Sequence, residues 1–447
     1  MKAVDWRARY KASSALMRRD RAEAHLRLVA DAEGAPDTAY LVARALRPEV
    51  TAAALRAVSE IVGSRFYVPP AMLARILREA DPVATVSAEA VRFEGFSACC
   101  SAYARLDIEN TALEAATRQA GTTNVDFGPK LRGALAQIRP SDRLDISIGA
   151  DGIAFSDGQQ EIVEHRVPLP ERWITGFGDV QVAMAGMERA FSLNRIAAQR
   201  FLRGLPRGKN DHVRYVSSVR GQGLSSSRQS ASAVPLRGAH RLRVLEPLAP
   251  KCESLAVYVN PALGSTAWVL EFAGQRFSLV LNAEPWRGFS GDGGLLGDLA
   301  DGAGPSASTL HAALKWHGQL EAKSIARRCG CTVDLARNAL ARLAGEGLLG
   351  FDLADGSYFH RALPYQLADG GRTPRRLEAA EALATGGHVT LAPDGKNARV
   401  ASGEVLHHVS VSGSTYRCTC PWFARNGASR GPCKHVLATQ IVLERVT

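Results

Sequence analysis

Hydrophobic and polar positions change their spacing several times along this chain, and each change predicts a different kind of element. From Ala12 to Glu79, Ala, Leu and Arg recur at helical intervals, with breaks at Gly34-Ala-Pro36, Arg47-Pro48 and Pro69-Pro70. This pattern predicts several short helices. From Ala88 the period shortens toward two. Ala90-Val-Arg-Phe-Glu94, Ala102-Tyr-Ala-Arg-Leu-Asp-Ile108, Leu144-Asp-Ile-Ser-Ile148, Gly152-Ile-Ala-Phe155 and Ile162-Val-Glu-His-Arg-Val167 read as strands, with a helix from Lys130 to Ile138 among them. A helical stretch over about 178–202 precedes strands near Val213–Val219, Leu242–Leu248, Leu255–Val259, Ala267–Phe272 and Phe277–Asn282. The middle of the chain is therefore an α+β region of mostly antiparallel strands.

Two segments break the pattern. Residues 217–232 are Ser-rich and read as a solvated loop. Residues 288–305 carry the glycine density of an interdomain linker. Those glycines form no phosphate loop, because no Gly-Lys-Ser/Thr follows. Asp292, Asp298 and Asp301 lack the spacing and the bidentate Glu of a calcium loop.

Helical spacing returns at Ser308–Trp316 and stops at His317-Gly318. Glu321–Cys329 reads as a second short helix, Gly330-Cys331-Thr332 as a tight turn with Thr332 as N-cap, and Val333–Ala344 as a third helix. Its apolar stripe is Leu335, Ala336, Ala339, Leu340 and Leu343, which leaves Asp334, Arg337, Asn338, Ala341 and Arg342 on the other face. Leu348–Leu353 and Ser357–Arg361, joined through Ala354-Asp-Gly356, read as a hairpin. Three helices followed by a two-stranded wing resemble a winged helix-turn-helix domain over 306–365. The resemblance implies a third helix that enters the DNA major groove, with Arg337, Asn338 and Arg342 at base edges and Arg327, Arg328 and Arg361 on phosphates. A protein-docking or spacer unit is the alternative. Cys329 and Cys331 read as small buried residues of the turn, as do Cys99 and Cys100 in the middle region.

After further strands at 388–391, 398–401 and 405–411, the chain reads Cys418-Thr-Cys420-Pro-Trp-Phe-Ala-Arg-Asn-Gly-Ala-Ser-Arg-Gly-Pro-Cys433-Lys-His435. Residues i and i+2 of a strand face the same way, so Cys418 and Cys420 reach one ion. Pro421, with no N–H, ends the ladder. The turn signals Asn426-Gly427 and Arg430-Gly431-Pro432 bring Cys433 and His435 to the start of an apolar helical run, Val436–Val442. Three thiolates and one imidazole make a complete tetrahedral shell for one zinc ion, with no open position for a substrate. His407 and His408 are then strand residues, one facing in and one out. The order C-x-C, loop, C-x-H resembles the SWIM zinc finger, and Cys418, Cys420, Cys433 and His435 fall on its ligand pattern. The resemblance implies a small zinc-dependent module associated with DNA or protein contacts. From Ser414 to Thr447 there are five Arg and Lys residues and one Glu, a balance of +4. The ion with three thiolates changes this by only about −1. Arg425, Arg430 and Lys434 are the module's candidate nucleic-acid contacts.

Composition sets outer limits. A chain of 447 residues exceeds one core. The expected order is a helical N-terminal region at 1–82, an α+β middle domain at 83–287, a linker at 288–305, a winged-helix-like unit at 306–365 and the zinc module at 377–447. The formal charge of +11 favours an acidic partner. Eight scattered cysteines do not form a dense disulfide framework. The first residues lack an apolar signal core and no stretch approaches a membrane span, so a cytoplasmic location is expected. No serine elbow, zincin motif, phosphate loop or nucleotide fingerprint is present. Asp142, Asp145, Asp151, Glu161 and Glu164 read as solvated strand and turn carboxylates. Leu131–Phe155 resembles a repeat unit of DNA sliding clamps over a stretch too short to carry a function. The sequence thus predicts a non-enzymatic, zinc-containing protein without a small-molecule substrate, in contact with DNA through the winged helix and the zinc module. The alternative is an adaptor subunit of a bacterial complex that bridges an ATPase or other protein partners.

Overall fold

A computed structural model of the chain describes residues 15–20, 23–28, 39–66, 82–124, 132–133, 135–149, 171–209, 212–217, 223–228, 230, 232–286, 288–289, 319–345, 347–361, 363, 375–393, 396–412, 415–427 and 432–446. Its first elements correct the expected helical N-terminal region. Strands β1 (Ala15–Asp20), β2 (Glu23–Leu28) and β3 (Ala39–Ala45) precede a single helix, α1 (Pro48–Val62). From Tyr40 to Ala45 half-buried and buried residues alternate, which is the period of a paired strand. Helix propensity from Ala and Leu is a weak prior that this pairing overrides. Helix α1 starts at the break the sequence marks: Pro48 occupies the first helical position, where no N–H is needed, and Glu49 sits in the first turn.

The chain continues through β4 (Val83–Val86), β5 (Ala90–Phe96), β6 (Ala102–Glu109), β7 (Leu113–Arg118), β8 (Gly121–Asn124) and β9 (Arg143–Gly149). A five-stranded sheet has the order β1-β2-β9-β3-β7, with β2 and β9 parallel and the other pairs antiparallel. The helical run expected over 178–202 is instead α2 (Glu171–Ala185), strand β10 (Glu188–Asn194) and α3 (Arg195–Arg203). Pairing decides this: β10 forms the edge beside a later strand, and Asn194 then starts α3 by accepting a hydrogen bond from the Ala197 amide at 3.0 Å. Next come β11 (Val213–Val216), β12 (Leu224–Ser225), β13 (Val234–Arg237), β14 (Ser254–Val259), β15 (Thr266–Phe272) and β16 (Gln275–Leu281). The strand expected at Leu242–Leu248 is largely a 3-10 helix, Ala239–Leu245. Buried Arg241 fixes it by donating to the carbonyls of Ser101, Arg237 and Asn282 at 3.0, 2.7 and 3.0 Å. The strands expected at 152–155 and 162–167, most of the Gly-rich linker with its aspartates, and the helix at 308–316 lie outside the described residues.

An antiparallel sheet of eight strands, β10-β14-β15-β16-β6-β5-β4-β8, is the centre of the molecule. Helices α4 (Ala322–Cys329) and α5 (Val333–Gly345) pack on each other, α5 also packs on α2, and with the hairpin β17 (Leu349–Asp352) and β18 (Ser357–His360) they share the sheet's hydrophobic core. Local signals made these elements legible. Gly330 caps α4 in the left-handed region at φ 65°, Thr332 Oγ1 accepts from the Leu335 amide at 3.3 Å, and Gly356 turns the hairpin at φ 60°. A two-residue bridge pairs Leu320 with Tyr358.

Sheet register places Arg92 opposite Asp107, Asp107 opposite Arg276, and Glu94 opposite Arg105. That polar face is covered by the hairpin. Arg361 donates to Glu94 at 2.5 Å, Arg276 reaches Asp352 at 3.0 Å, and Arg105 donates to Asp107 at 2.9 Å and to the Phe351 carbonyl at 2.5 Å. The Arg92 guanidinium lies 3.8 Å from the centre of the Phe359 ring. Buried charges persist only when paired, and here each finds an opposite charge or a carbonyl.

Glu271, on β15 opposite Arg276, lies at the rim of this network. Burial pushes its carboxyl up to about 7, with Arg276 opposing and Asp352, Asp107 and Glu109 adding to the rise. A carboxyl raised on folding favours the native state fully below its ordinary value near 4.5 and loses that contribution as pH climbs through about 7. Glu271→Gln stays neutral. Its expected effect is a gain of about 1 kcal/mol at pH 8, discounted for partial exposure, and almost none at pH 5. Thermal melts of both proteins at the two pH values check this, and an equal shift at both refutes it.

The C-terminal part has separate clusters of buried residues. Helix α6 (Arg375–Thr385), absent from the sequence expectation, packs on the last helix, α8 (Lys434–Val446). Between them in the sequence come the strands of a four-stranded antiparallel sheet, β19 (Val389–Leu391), β20 (Asn397–Ser402), β21 (Val405–Ser412) and β22 (Thr415–Cys418), and then the short helix α7 (Pro421–Asn426).

Candidate metal centre and basic surfaces

Cys418 ends β22, and Cys420 is the N-cap of α7, where its Sγ accepts from the Phe423 amide at 3.3 Å. Pro421 ends the strand as expected and also begins α7. Cys433 immediately precedes α8 and His435 is in its first turn. All four residues are buried, and their ligand atoms lie within 4.8 Å of one another. His435 Nδ1 is 3.8 Å from Cys418 Sγ and 4.0 Å from Cys433 Sγ. Tetrahedral bonds of about 2.3 Å to sulfur and about 2.0 Å to nitrogen require edges of about 3.6 Å between such atoms, so the donor set fits one zinc ion with a small contraction.

Electrostatics agree with a site built for a cation. A hydrogen bond links the Cys418 and Cys433 thiols: it pulls Cys433 down to about 4 and, together with burial, pushes Cys418 up. Burial raises Cys420 as well. A zinc ion replaces these protons with one divalent charge and holds all three sulfurs as thiolates. The role is structural, since four protein ligands close the shell. His407 rests its half-buried ring 4.1 Å from that of His435, while His408 faces solvent, which is the in-and-out pair the strand predicted.

The other candidates are dispersed. Arg425 is exposed on α7, Lys434 is half-buried at the start of α8, and Arg430 lies outside the described residues. On α5, Arg337 is exposed but its guanidinium is 3.0 Å from Asp334, Asn338 is half-buried and Arg342 is exposed. Ala341, which follows Arg337 by one turn, is buried at 5% exposure, so the polar face is interrupted. Helix α5 is flanked by α2 as well as α4, a contact invisible to its own periodicity. Arg361, expected on a phosphate, is fully buried against Glu94. Cys329, expected in the core, is exposed, whereas Cys331 packs on the core. Arg327 and Arg328 are exposed.

Sequence reasoning passed over one feature, the outward face of the four-stranded sheet. Asn397 and Arg399 on β20, His408 and Ser410 on β21, and Arg417 and Thr419 at β22 point away from the metal. Polar residues at every second position were the available signal.

The SWIM zinc finger family model matches residues 407–439. This segment is therefore a SWIM zinc module, and with the four buried donors it holds one structural zinc ion. No curated protein matches the chain. Among solved structures, the proliferating cellular nuclear antigen of Entamoeba histolytica aligns with 8% identity and a TM-score of 0.34, over 55% of this chain and 99% of that one. The A. fulgidus PCNA bound to the C-terminal region of FEN-1 aligns with 9% identity and a TM-score of 0.33, over 54% and 97%. At these values the likeness assigns neither a fold nor a function to the chain. Among the described residues no helix is long and apolar enough to cross a membrane.

Proposed function

We propose that this is a non-enzymatic, DNA-associated zinc protein in which the SWIM module presents cations to nucleic acid and helix α5 adds a second, smaller contact. The observation that carries this reading is the closed metal shell beneath a net-positive surface: a fully ligated zinc orders the module without offering a reaction position. The succession α4, turn, α5 and hairpin, with the Leu320–Tyr358 bridge, supports a winged-helix-like unit. Its hairpin is packed into the large sheet, so α5 and the exposed Arg327 and Arg328 are what that unit offers to DNA. Eight cysteines without a disulfide fit a reducing compartment, the cytoplasm.

The test is binding of labelled duplex and single-stranded DNA from 50 to 200 mM salt. Ala substitutions at Arg337, Asn338 and Arg342 are expected to cost about 1–3 kcal/mol each where they touch base edges, and to do so for some sequences more than others. Ala at Arg425, Arg430 and Lys434 is expected to weaken all sequences alike and to flatten the salt slope. Wild-type protein that binds neither form at low salt refutes the reading. The alternative, an adaptor between proteins, draws on Val405 and Leu406, which stand 56% and 50% exposed at the β20–β21 turn.

A further inference from the structure

The outward face of the SWIM sheet is polar because its inward face is fully used. Ala398 and Val400 on β20, Val409 on β21 and Cys418 on β22 are buried with the other zinc ligands and Val436 of α8. The residues between them must then point outward. Register groups them into two rows across three strands. Arg399 lies opposite His408, and the row extends to Thr419, whose amide donates to the His408 carbonyl at 3.0 Å and whose Oγ1 accepts from the His408 amide at 3.0 Å. Asn397 lies opposite Ser410, which lies opposite Arg417.

We propose that this face is a nucleic-acid backbone site, with Arg399 and Arg417 as phosphate contacts and Asn397, His408, Ser410 and Thr419 as hydrogen-bonding partners. It rests on the DNA-associated reading above and assigns that reading a surface. A concavity of about 620 Å³ opens there, and among the described residues no carboxylate lines it. Among the described residues neither Arg399 nor Arg417 forms an ion pair, unlike Arg337 with its neighbouring Asp334. The two arginines stand two strands and one row apart, roughly 12 Å between backbones by strand spacing. Hydroxyl and amide side chains between two guanidinium groups are the donors that phosphate oxygens take. Among the described residues no Trp, Tyr or Phe lines the face, so these residues offer no stacking platform for bases. Recognition of the backbone, indifferent to sequence, follows. An acidic protein partner is the less favoured occupant, because the face lacks the large apolar or aromatic anchor that protein interfaces use.

The experiment uses the full-length, zinc-loaded protein and fluorescein-labelled duplexes of two unrelated sequences, read by anisotropy between 50 and 200 mM salt. Arg399→Ala/Arg417→Ala is compared with wild type and with Arg56→Ala/Arg200→Ala, which removes the same net charge at exposed positions on α1 and α3. Unchanged zinc content and thermal midpoint establish that each variant is folded. The expected result is weaker binding of both sequences and a slope of log K against log salt reduced by about 2 for the first variant alone. Wild-type binding with the slope unchanged in the first variant overturns this site and leaves DNA association to other cations. An equal loss in both variants reduces the effect to net charge and also overturns it. Wild-type protein that ignores DNA but captures polyglutamate overturns the site together with the DNA reading.

Discussion

Chelation of the zinc ion will unfold the C-terminal module while the central sheet stays intact. The module's own apolar clusters contain few residues, among them Ala398, Val400, Val409, Val436 and Leu437, and the ligands are part of them. Clusters of that size do not offset the chain entropy of so many ordered residues. The ion does, with binding worth about 10–16 kcal/mol in comparable small domains. The central core runs from Leu41 to Leu363 and includes no residue of the module, so its melting should be independent. Cys418→Ser, Cys420→Ser and Cys433→Ser should each abolish zinc binding, and serine in place of Cys420 still supplies an oxygen that can cap α7. Elemental analysis should give one zinc per chain for wild type. Limited proteolysis should release fragments from 397–446 only after chelation. A wild-type protein purified without chelator and free of zinc, or a module equally protected with and without metal, contradicts the assignment.

Arg361→Met should cost about 3–5 kcal/mol of folding free energy at neutral pH. Glu94 and Arg361 are both fully buried, and the Tyr103 hydroxyl donates to the same carboxylate. Burial alone would raise the Glu94 carboxyl, but Arg361 and Arg105 outweigh it and hold it below its ordinary value. A carboxyl lowered on folding stabilises the protein above its unfolded value and loses that contribution as pH falls through the folded one. Removal of Arg361 deprives this buried charge of its closest partner. The penalty of the variant should therefore be largest near pH 7 and shrink toward pH 5 as Glu94 takes up a proton. Glu94→Gln/Arg361→Met should recover much of the loss, because no uncompensated charge remains. Urea midpoints at the two pH values, for wild type, both single variants and the double variant, measure this. A cost below about 1 kcal/mol for Arg361→Met would show that the hairpin is held by its apolar contacts instead.

The metal site was fully legible because its information is local. Four ligands within one short segment, a proline that ends a strand and an apolar helical run behind His435 fix strand, ligands and helix without reference to the rest of the chain. The segment α4, α5 and hairpin was legible for the same reason, through Gly330, Thr332 and Gly356. β10 was hidden inside a helical reading. Its residues become a strand because β14 supplies the partner ladder, and α3 begins only where Asn194 can cap it. The N-terminal strands were hidden likewise, since Ala and Leu suit a helix until a neighbouring strand takes up their backbone groups.

The sequence by itself determined the zinc ligands, the antiparallel character of the middle region and the local elements around α5, since each follows from residue spacing and turn chemistry within a few positions. Only the tertiary structure decided which charges meet water. In β5 the alternation of Val91, Phe93 and Gly95 with Arg92 and Glu94 describes a sheet with one wet face, yet every residue of that strand is buried. The hairpin brings Asp352 and Arg361 onto that face, and the arginines and carboxylates of two distant segments neutralise one another. The same physics reassigned Arg361 from a phosphate contact to an internal ion pair and, among the described residues, left Arg399 and Arg417 without one. Periodicity reports that a polar residue faces away from its own apolar neighbours. Whether solvent or a complementary charged surface lies beyond is set by contacts hundreds of residues apart, as between Glu94 and Arg361, with a sequence separation of 267.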